Sequence, residues 1–288
     1  WTDERTIPTR RADPNGLEGG ERKTNETVVH EDEEGWRAST RRENGSKSVA
    51  QAASSTVTSI LAVVAGLTIT ASASFVDIDR DGWLDLYVAN YFDQNTDGDY
   101  ECSVGTGERD YCGPERYLAV PDRLYRNRGD GTFVEVTAEA QVAGEYGLAL
   151  GVLSADLDGD GWVDIYVAND SEPNQLWINQ HDGTFVNDAL LAGVAVNSAG
   201  IAEGSMGVDA GDFDADGDLD LFMTHVTGET NTLYTNDGSG LFEDRGTMLG
   251  LGVPSLGYTG FGTGWFDFDN DGWPDLLVAN GAVRAIEA

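Results

Sequence analysis

Four short stretches of this chain concentrate carboxylates at one spacing. Asp77, Asp79, Asp81 and Asp85 form the first, and Asp156, Asp158, Asp160 and Asp164 the second. Asp212, Asp214, Asp216 and Asp220 form the third, and Asp267, Asp269, Asp271 and Asp275 the fourth. Each reads D-x-D-x-D-G-x-x-D. Side chains at positions 1, 3 and 5 can turn onto one point while the backbone winds round it. The glycine at position 6 permits the sharp turn, and position 7 (Trp83, Trp162, Asp218, Trp273) offers its backbone carbonyl. The aspartate at position 9 then closes the sphere. An all-oxygen set of this size suits Ca2+, which takes about six to eight hard oxygens at ~2.3–2.6 Å. Mg2+ fits less well, because it demands a near-ideal octahedron and keeps several of its waters. A solvated acidic turn without metal would account for one such loop. Four copies in register bring sixteen carboxylates that repel one another unless cations lie between them.

The loop is shorter than an EF-hand, with its last acid three residues early, and it runs straight into apolar segments such as LYVAN and IYVAN. It therefore clamps a hairpin and has no helix pair to open. A fifth candidate lies between the first two loops: Asp93, Asn95, Asp97, the backbone of Asp99, and Glu101 fit D-x-N-x-D-G-x-x-E. No apolar strand follows it. The same region holds both cysteines, Cys102 and Cys112, whose spacing reads as a disulfide closing a short loop if the chain is extracellular. Two free thiols are the alternative.

The loops need elements to hold them, and the sequence repeats at the scale of those elements. Asp77, Asp156, Asp212 and Asp267 are 79, 56 and 55 residues apart, leaving about 23 inserted residues between Tyr91 and Pro121. Between the loops recur LYRNRGDGTF, LWINQHDGTF and LYTNDGSGLF, each a strand, a tight Gly-containing turn and a second strand. In the second repeat the expected strands are Ala149–Ala155, Trp162–Asn169, Gln175–Asn179 and Thr184–Asn187. Four short antiparallel strands about every 50 residues is the pattern of a β-propeller blade. The position-7 tryptophans are expected to pack their rings between blades.

The net charge is −34, and it is unevenly spread. Residues 1–50 hold nine basic and eleven acidic side chains, so the other 238 carry 40 acidic against 8 basic. Such a surface is wrong for nucleic acid, which needs clustered Lys and Arg, and for an anionic membrane. Residues 1–56 are polar, aperiodic and rich in charge runs, and no secondary structure is assigned to them. The apolar run Val57–Ala73 ends in Ala-Ser-Ala like a signal peptide, but it is short for a membrane span and cleavage after Ala73 would cut into the first repeat. It reads instead as the lead into that repeat. The chain starts at Trp1 and stops within a fourth repeat, as a piece of a longer protein would.

The loops with their trailing LYVAN, IYVAND and LLVANG, together with DYCGPER, PDRLYRN, MGVDAGD and TGETNT, resemble FG-GAP (VCBS-type) repeats of the ASPIC/UnbV, cartilage-acidic-protein-like family. The resemblance covers about residues 66–288; residues 1–65 match nothing in it, and the family's C-terminal segment is missing. It implies about four blades of a seven-bladed all-β propeller, Ca2+ in the hairpins on the sixteen aspartates, a secreted, periplasmic or cell-surface location, and no established catalytic centre. The catalytic inventory agrees. The histidines are His30 in the leader, His181 in a hairpin turn, and His225 where other repeats place Asn. No nucleophile elbow, phosphate loop or zinc-protease motif occurs. The expected function is a calcium-binding scaffold for protein or glycan partners. A polysaccharide lyase or hydrolase is the alternative, and an exposed Arg, Tyr and His cluster in the central funnel would favour it.

Overall fold

A computed structural model describes residues 27–32, 35–40, 68–93, 100–103, 107, 109–110 and 112–283. The chain divides into two units, Trp1–Ala52 and Ala53–Ala288. In the first, β1 (Thr27–Asp32) pairs antiparallel with β2 (Gly35–Thr40). The charge runs hid this hairpin from the sequence reading; Thr27, Val28, Val29 and Trp36 are nevertheless strand-favouring types.

The second unit is a fan of antiparallel sheets. The first sheet orders β3 (Thr68–Val76), β4 (Asp85–Asp93), β7 (Arg123–Asn127) and β8 (Phe133–Glu135). The second orders β9 (Ala149–Ala155), β10 (Asp164–Asn169), β11 (Gln175–Asn179) and β12 (Phe185–Asn187). The third orders β13 (Val208–Gly211), β14 (Asp220–Met223), β15 (Thr232–Asn236) and β16 (Phe242–Asp244). A hairpin of β17 (Thr259–Phe266) and β18 (Asp275–Gly281) begins a fourth. This is the blade pattern read from the sequence, an all-β partial propeller.

The apolar runs explain how the blades stack. Successive strand residues face opposite sides of a sheet, so a strand covered on both sides must be apolar without interruption. In β10, Ile165 and Val167 pack into one core with Tyr87, Leu124 and Val136 of the first blade. Their neighbours Tyr166 and Ala168 pack into a second core with Leu221, Met223 and Tyr234 of the third. Every residue of β10 is buried. The first strands of successive blades lie side by side: Ser154 on β9 donates to Ser74 Oγ on β3 at 2.9 Å, and the Trp265 N–H on β17 donates to Asp209 on β13, also at 2.9 Å. Ala71-Ser72-Ala73 lies inside β3, where Ser72 and Ala73 pair with Ala89 and Val88.

The insertion between β4 and β7 is a small stapled unit. β5 (Cys102–Ser103) pairs with β6 (Arg109–Asp110), and Cys102 and Cys112 form a disulfide. Phe92 stacks on Tyr117 at 4.1 Å, and Tyr100 meets Tyr117 edge-on. Among the described residues no helix is long and apolar enough to cross a membrane.

Candidate metal sites in the Asp loops

Each Asp loop joins the first strand of a blade to the second, on the same side of the fan as the turns between third and fourth strands. Within the loop the side chains bond the backbone they must bend. Oδ2 of position 1 accepts the N–H of the position-6 glycine in all four loops, at 2.9–3.2 Å. Oδ1 of position 5 accepts the N–H of position 7, at 2.7–3.1 Å. The glycines at position 6 have φ between 85° and 102°, a left-handed conformation that side chains resist. Position 4 is left-handed too, and there the occupants Arg80, Ala215 and Asn270 are not glycine.

Position 9 is held differently. Asp85, Asp164 and Asp220 are each 1 % exposed. One oxygen of each accepts the N–H of position 2, from Ile78, Leu157 and Phe213. The other accepts the N–H of the asparagine that ends the third strand, from Asn127, Asn179 and Asn236 at 2.7–2.9 Å. Two of those asparagines also reach the neighbouring blade: Asn179 Nδ2 donates to the Ile78 carbonyl, and Asn236 Nδ2 to the Leu157 carbonyl, at 3.0 and 2.9 Å. This clamp escaped the sequence reading, although the recurring Asn of LYRN, LWIN and LYTN was its visible signal.

The outcome is convergence. Carboxylate oxygens of Asp77, Asp79 and Asp85 lie within 4.8 Å of one another, as do those of Asp156, Asp158 and Asp164, and of Asp212, Asp214 and Asp220. In the fourth loop the converging set is Asp267, Asp269 and Asp271. Positions 1, 3 and 9 thus meet in the first three loops and positions 1, 3 and 5 in the last. Asp81, Asp160 and Asp216 stand outside the closest group, and Asp160 instead contacts the His181 ring nitrogen.

These oxygens are short of positive charge. Burial pushes the Asp85 carboxyl up to about 6 and Asp164 to about 7, with the neighbouring loop aspartates adding to the rise. Burial raises Asp158 and Asp220 as well. Asp77 Oδ1 is buried without a hydrogen-bond partner among the described residues. A hard, oxygen-only donor set containing an orphaned buried acceptor fits a divalent cation, and several of these Asp groups could hold one.

Of the position-7 rings, Trp162 is sandwiched across blades, between Arg80 of the first loop at 4.2 Å and His181 at 4.7 Å. Trp83 lies against Gly129 of its own blade's turn, where a Cβ would meet the indole nitrogen at 2.9 Å. Trp273, in the loop that precedes β18, is 60 % exposed. In the fifth candidate, Asn95, Asp97 and Asp99 fall outside the described residues, and Glu101 pairs with Arg109. His225 is buried two residues beyond the end of β14, its backbone N–H donates to Asn231 Oδ1, and burial lowers its imidazole to about 4.

The FG-GAP-like repeat model matches residues 93–167, 156–223 and 212–278. The chain belongs to the FG-GAP-like repeat family. The second and third matches begin at the first aspartate of an Asp loop and end in the second strand of the following blade, so each is offset by one strand from a blade. Cartilage acidic protein 1 of Homo sapiens is 30% identical over 172 residues, covering 57% of this chain and 25% of that protein. The Xenopus tropicalis protein of the same name is 28% identical over 173 residues, covering 57% and 26%. The chain thus spans about a quarter of the length of these relatives. Among solved structures, Trypanosoma rangeli sialidase in complex with sialic acid aligns with 90% of this chain and 36% of its own, at 11% identity and a TM-score of 0.40.

Proposed function

We propose that this propeller segment is a calcium-loaded, non-catalytic scaffold working outside the cytoplasm, which presents loops of one face to protein or glycan partners. Convergence of three carboxylates in each of four loops carries the calcium reading. In this reading Asp77, Asp79, Asp81 and Asp85 hold one ion with the Trp83 carbonyl, and the corresponding aspartates hold the others with the carbonyls of Trp162, Asp218 and Trp273. The Cys102–Cys112 disulfide supports an oxidising compartment. The titratable inventory supports a scaffold: the loop carboxylates are engaged with backbone and one another, His225 is buried, and His181 is held by Asp160.

Calcium titration of the chelated protein, followed by calorimetry and by anomalous scattering, tests the reading. Four bound ions are expected, with magnesium at equal concentration giving much weaker heats. Fewer than three ions would sink it.

A further inference from the structure

On the side of the fan opposite the Asp loops, a cleft of about 450 Å3 opens between the link entering the second blade and the loop joining β10 to β11. Its volume lies in the range of small-molecule sites, ~300–1,000 Å3. Glu145 and Tyr146 line it from the link, Glu172 and Pro173 from the loop, and Gln175 and Asn187 from strands β11 and β12. Glu145 accepts a hydrogen bond from Asn187 Nδ2 at 2.8 Å, and Glu172 accepts the Leu148 N–H at 3.1 Å. Each carboxylate uses only Oε2 in that bond. Gln175 is 4 % exposed, yet its Oε1 has no partner among the described residues. A buried acceptor left unsatisfied is destabilising, so a ligand donor reaching it is rewarded.

We infer that this cleft binds a saccharide carrying a free amine, such as a glucosamine oligomer. The wall offers acceptors at three places, Glu145, Glu172 and Gln175, which calls for a ligand with several donors spread over its surface. The lining contains two carboxylates and no Lys, Arg or His, so uronic, sialic and sulfated sugars are repelled and an ammonium is attracted. Tyr146, 46 % exposed, and Pro173 supply apolar surface for the C–H face of a sugar ring. A lysine side chain could satisfy the charge but would leave the dispersed acceptors unmet. The inference rests on the scaffold reading and names a ligand class for it.

The test is calorimetric titration of the full chain, calcium-loaded, with glucosamine oligomers, their N-acetylated counterparts, oligogalacturonate and a lysine-rich peptide. The glucosamine oligomer should bind tightest and oligogalacturonate not at all. Gln175→Leu, similar in shape, should weaken binding about tenfold, and the exposed Tyr146→Ala should also weaken it. Glu145→Gln with Glu172→Gln should abolish the preference over the acetylated sugar; calcium-dependent melting of each variant checks that it folds. Tighter binding of oligogalacturonate or the peptide, no saccharide binding by the unaltered protein, or variants that bind unchanged would overturn the cleft assignment and leave the scaffold reading standing. Mass spectrometry of the recovered oligomer separates the two: a bound glucosamine oligomer that is cut confirms the cleft and overturns the non-catalytic reading.

Discussion

The first three Asp loops and the fourth share one sequence and differ in what stands beside them. In the first three, the third strand of the same blade delivers an asparagine N–H to the position-9 carboxylate, which is buried and turned onto positions 1 and 3. In the fourth, no third strand lies beside β18 among the described residues. Asp275 is exposed, accepts the Phe268 N–H as its one backbone partner among the described residues, and leaves Asp271 to complete the group. The loop's own Asx-type hydrogen bonds survive without the blade. The role of position 9 does not. The nine-residue motif therefore specifies a turn, and the completed blade decides which carboxylates form the cation site.

Removing the cations should produce the largest effect. At roughly ten times Kd, each site stabilises the fold by about 1.4 kcal/mol, and four sites by about 6 kcal/mol, comparable with the whole stability of an ordinary domain. Chelation should therefore lower the melting temperature sharply, calcium should restore it, and equimolar magnesium should restore much less. The loop comparison adds that the fourth site empties first in a graded chelator titration followed by tryptophan fluorescence, where exposed Trp273 reports its loss. A melting curve indifferent to chelator would break the comparison at its root.

Position 9 itself comes next. Asp164→Ala orphans the N–H groups of Leu157 and Asn179 inside the blade and should cost about 3 kcal/mol, from two hydrogen bonds to a charged acceptor at ~1.5–3 kcal/mol each less partial relaxation. Asp275→Ala releases one N–H at an exposed position and should cost under about 1 kcal/mol. Chemical denaturation of both variants in excess calcium measures the pair, and equal losses would mean that the third-strand clamp contributes nothing.

An acid buried away from the loops sharpens the point. Asp122, 2 % exposed, accepts from Tyr87 Oη and the Asn90 N–H at 2.8 and 2.7 Å, where the second and third blades place Asn174 and Asn231. Burial lifts its carboxyl to about 7. A carboxylate whose pKa is raised on folding favours the fold at low pH, and that contribution is lost as pH climbs from about 4 through 7. Asp122→Asn should match the unaltered protein near pH 4 and exceed it by about 2 kcal/mol at pH 8, out of a ceiling of about 4 kcal/mol for three pKa units. Calcium should leave that difference unchanged while it removes any similar pH trend from Asp85 and Asp164. A variant advantage that is flat from pH 4 to 8 would contradict the assignment.

How much of this could be read in advance depended on how local the cause is. The blades were legible because two-sided burial writes itself as the run Ile165-Tyr166-Val167-Ala168, and the loops because a metal-shaped turn has a fixed spacing. The second strand was expected from Trp162 and begins at Asp164, because Trp162 donates its N–H to Asp160 and still belongs to the turn. The fourth was expected from Thr184 and begins at Phe185, because Thr184 bonds Asp182. The Asn179 and Asn236 bonds to carbonyls 101 and 79 residues away join different blades, and no local pattern announces such distant partners.

The smallest expected effect concerns position 4, where all four loops adopt the left-handed conformation and only Gly159 is glycine. A left-handed L-residue costs about 1–2 kcal/mol, while glycine adds about 0.4–1 kcal/mol of chain entropy to the unfolded state. For Ala215, at φ 63°, these terms leave a net gain of about 0.5 kcal/mol on Ala215→Gly. Asn270→Gly should be nearly neutral, because asparagine tolerates this conformation. The reverse change, Gly159→Ala, adds a Cβ only 3.0 Å from the Gly238 carbonyl of the next blade and should cost more than Ala215→Gly returns. Urea midpoints in excess calcium resolve all three. If Gly159→Ala were as mild as its mirror image, the second loop would not be pressed against the third blade.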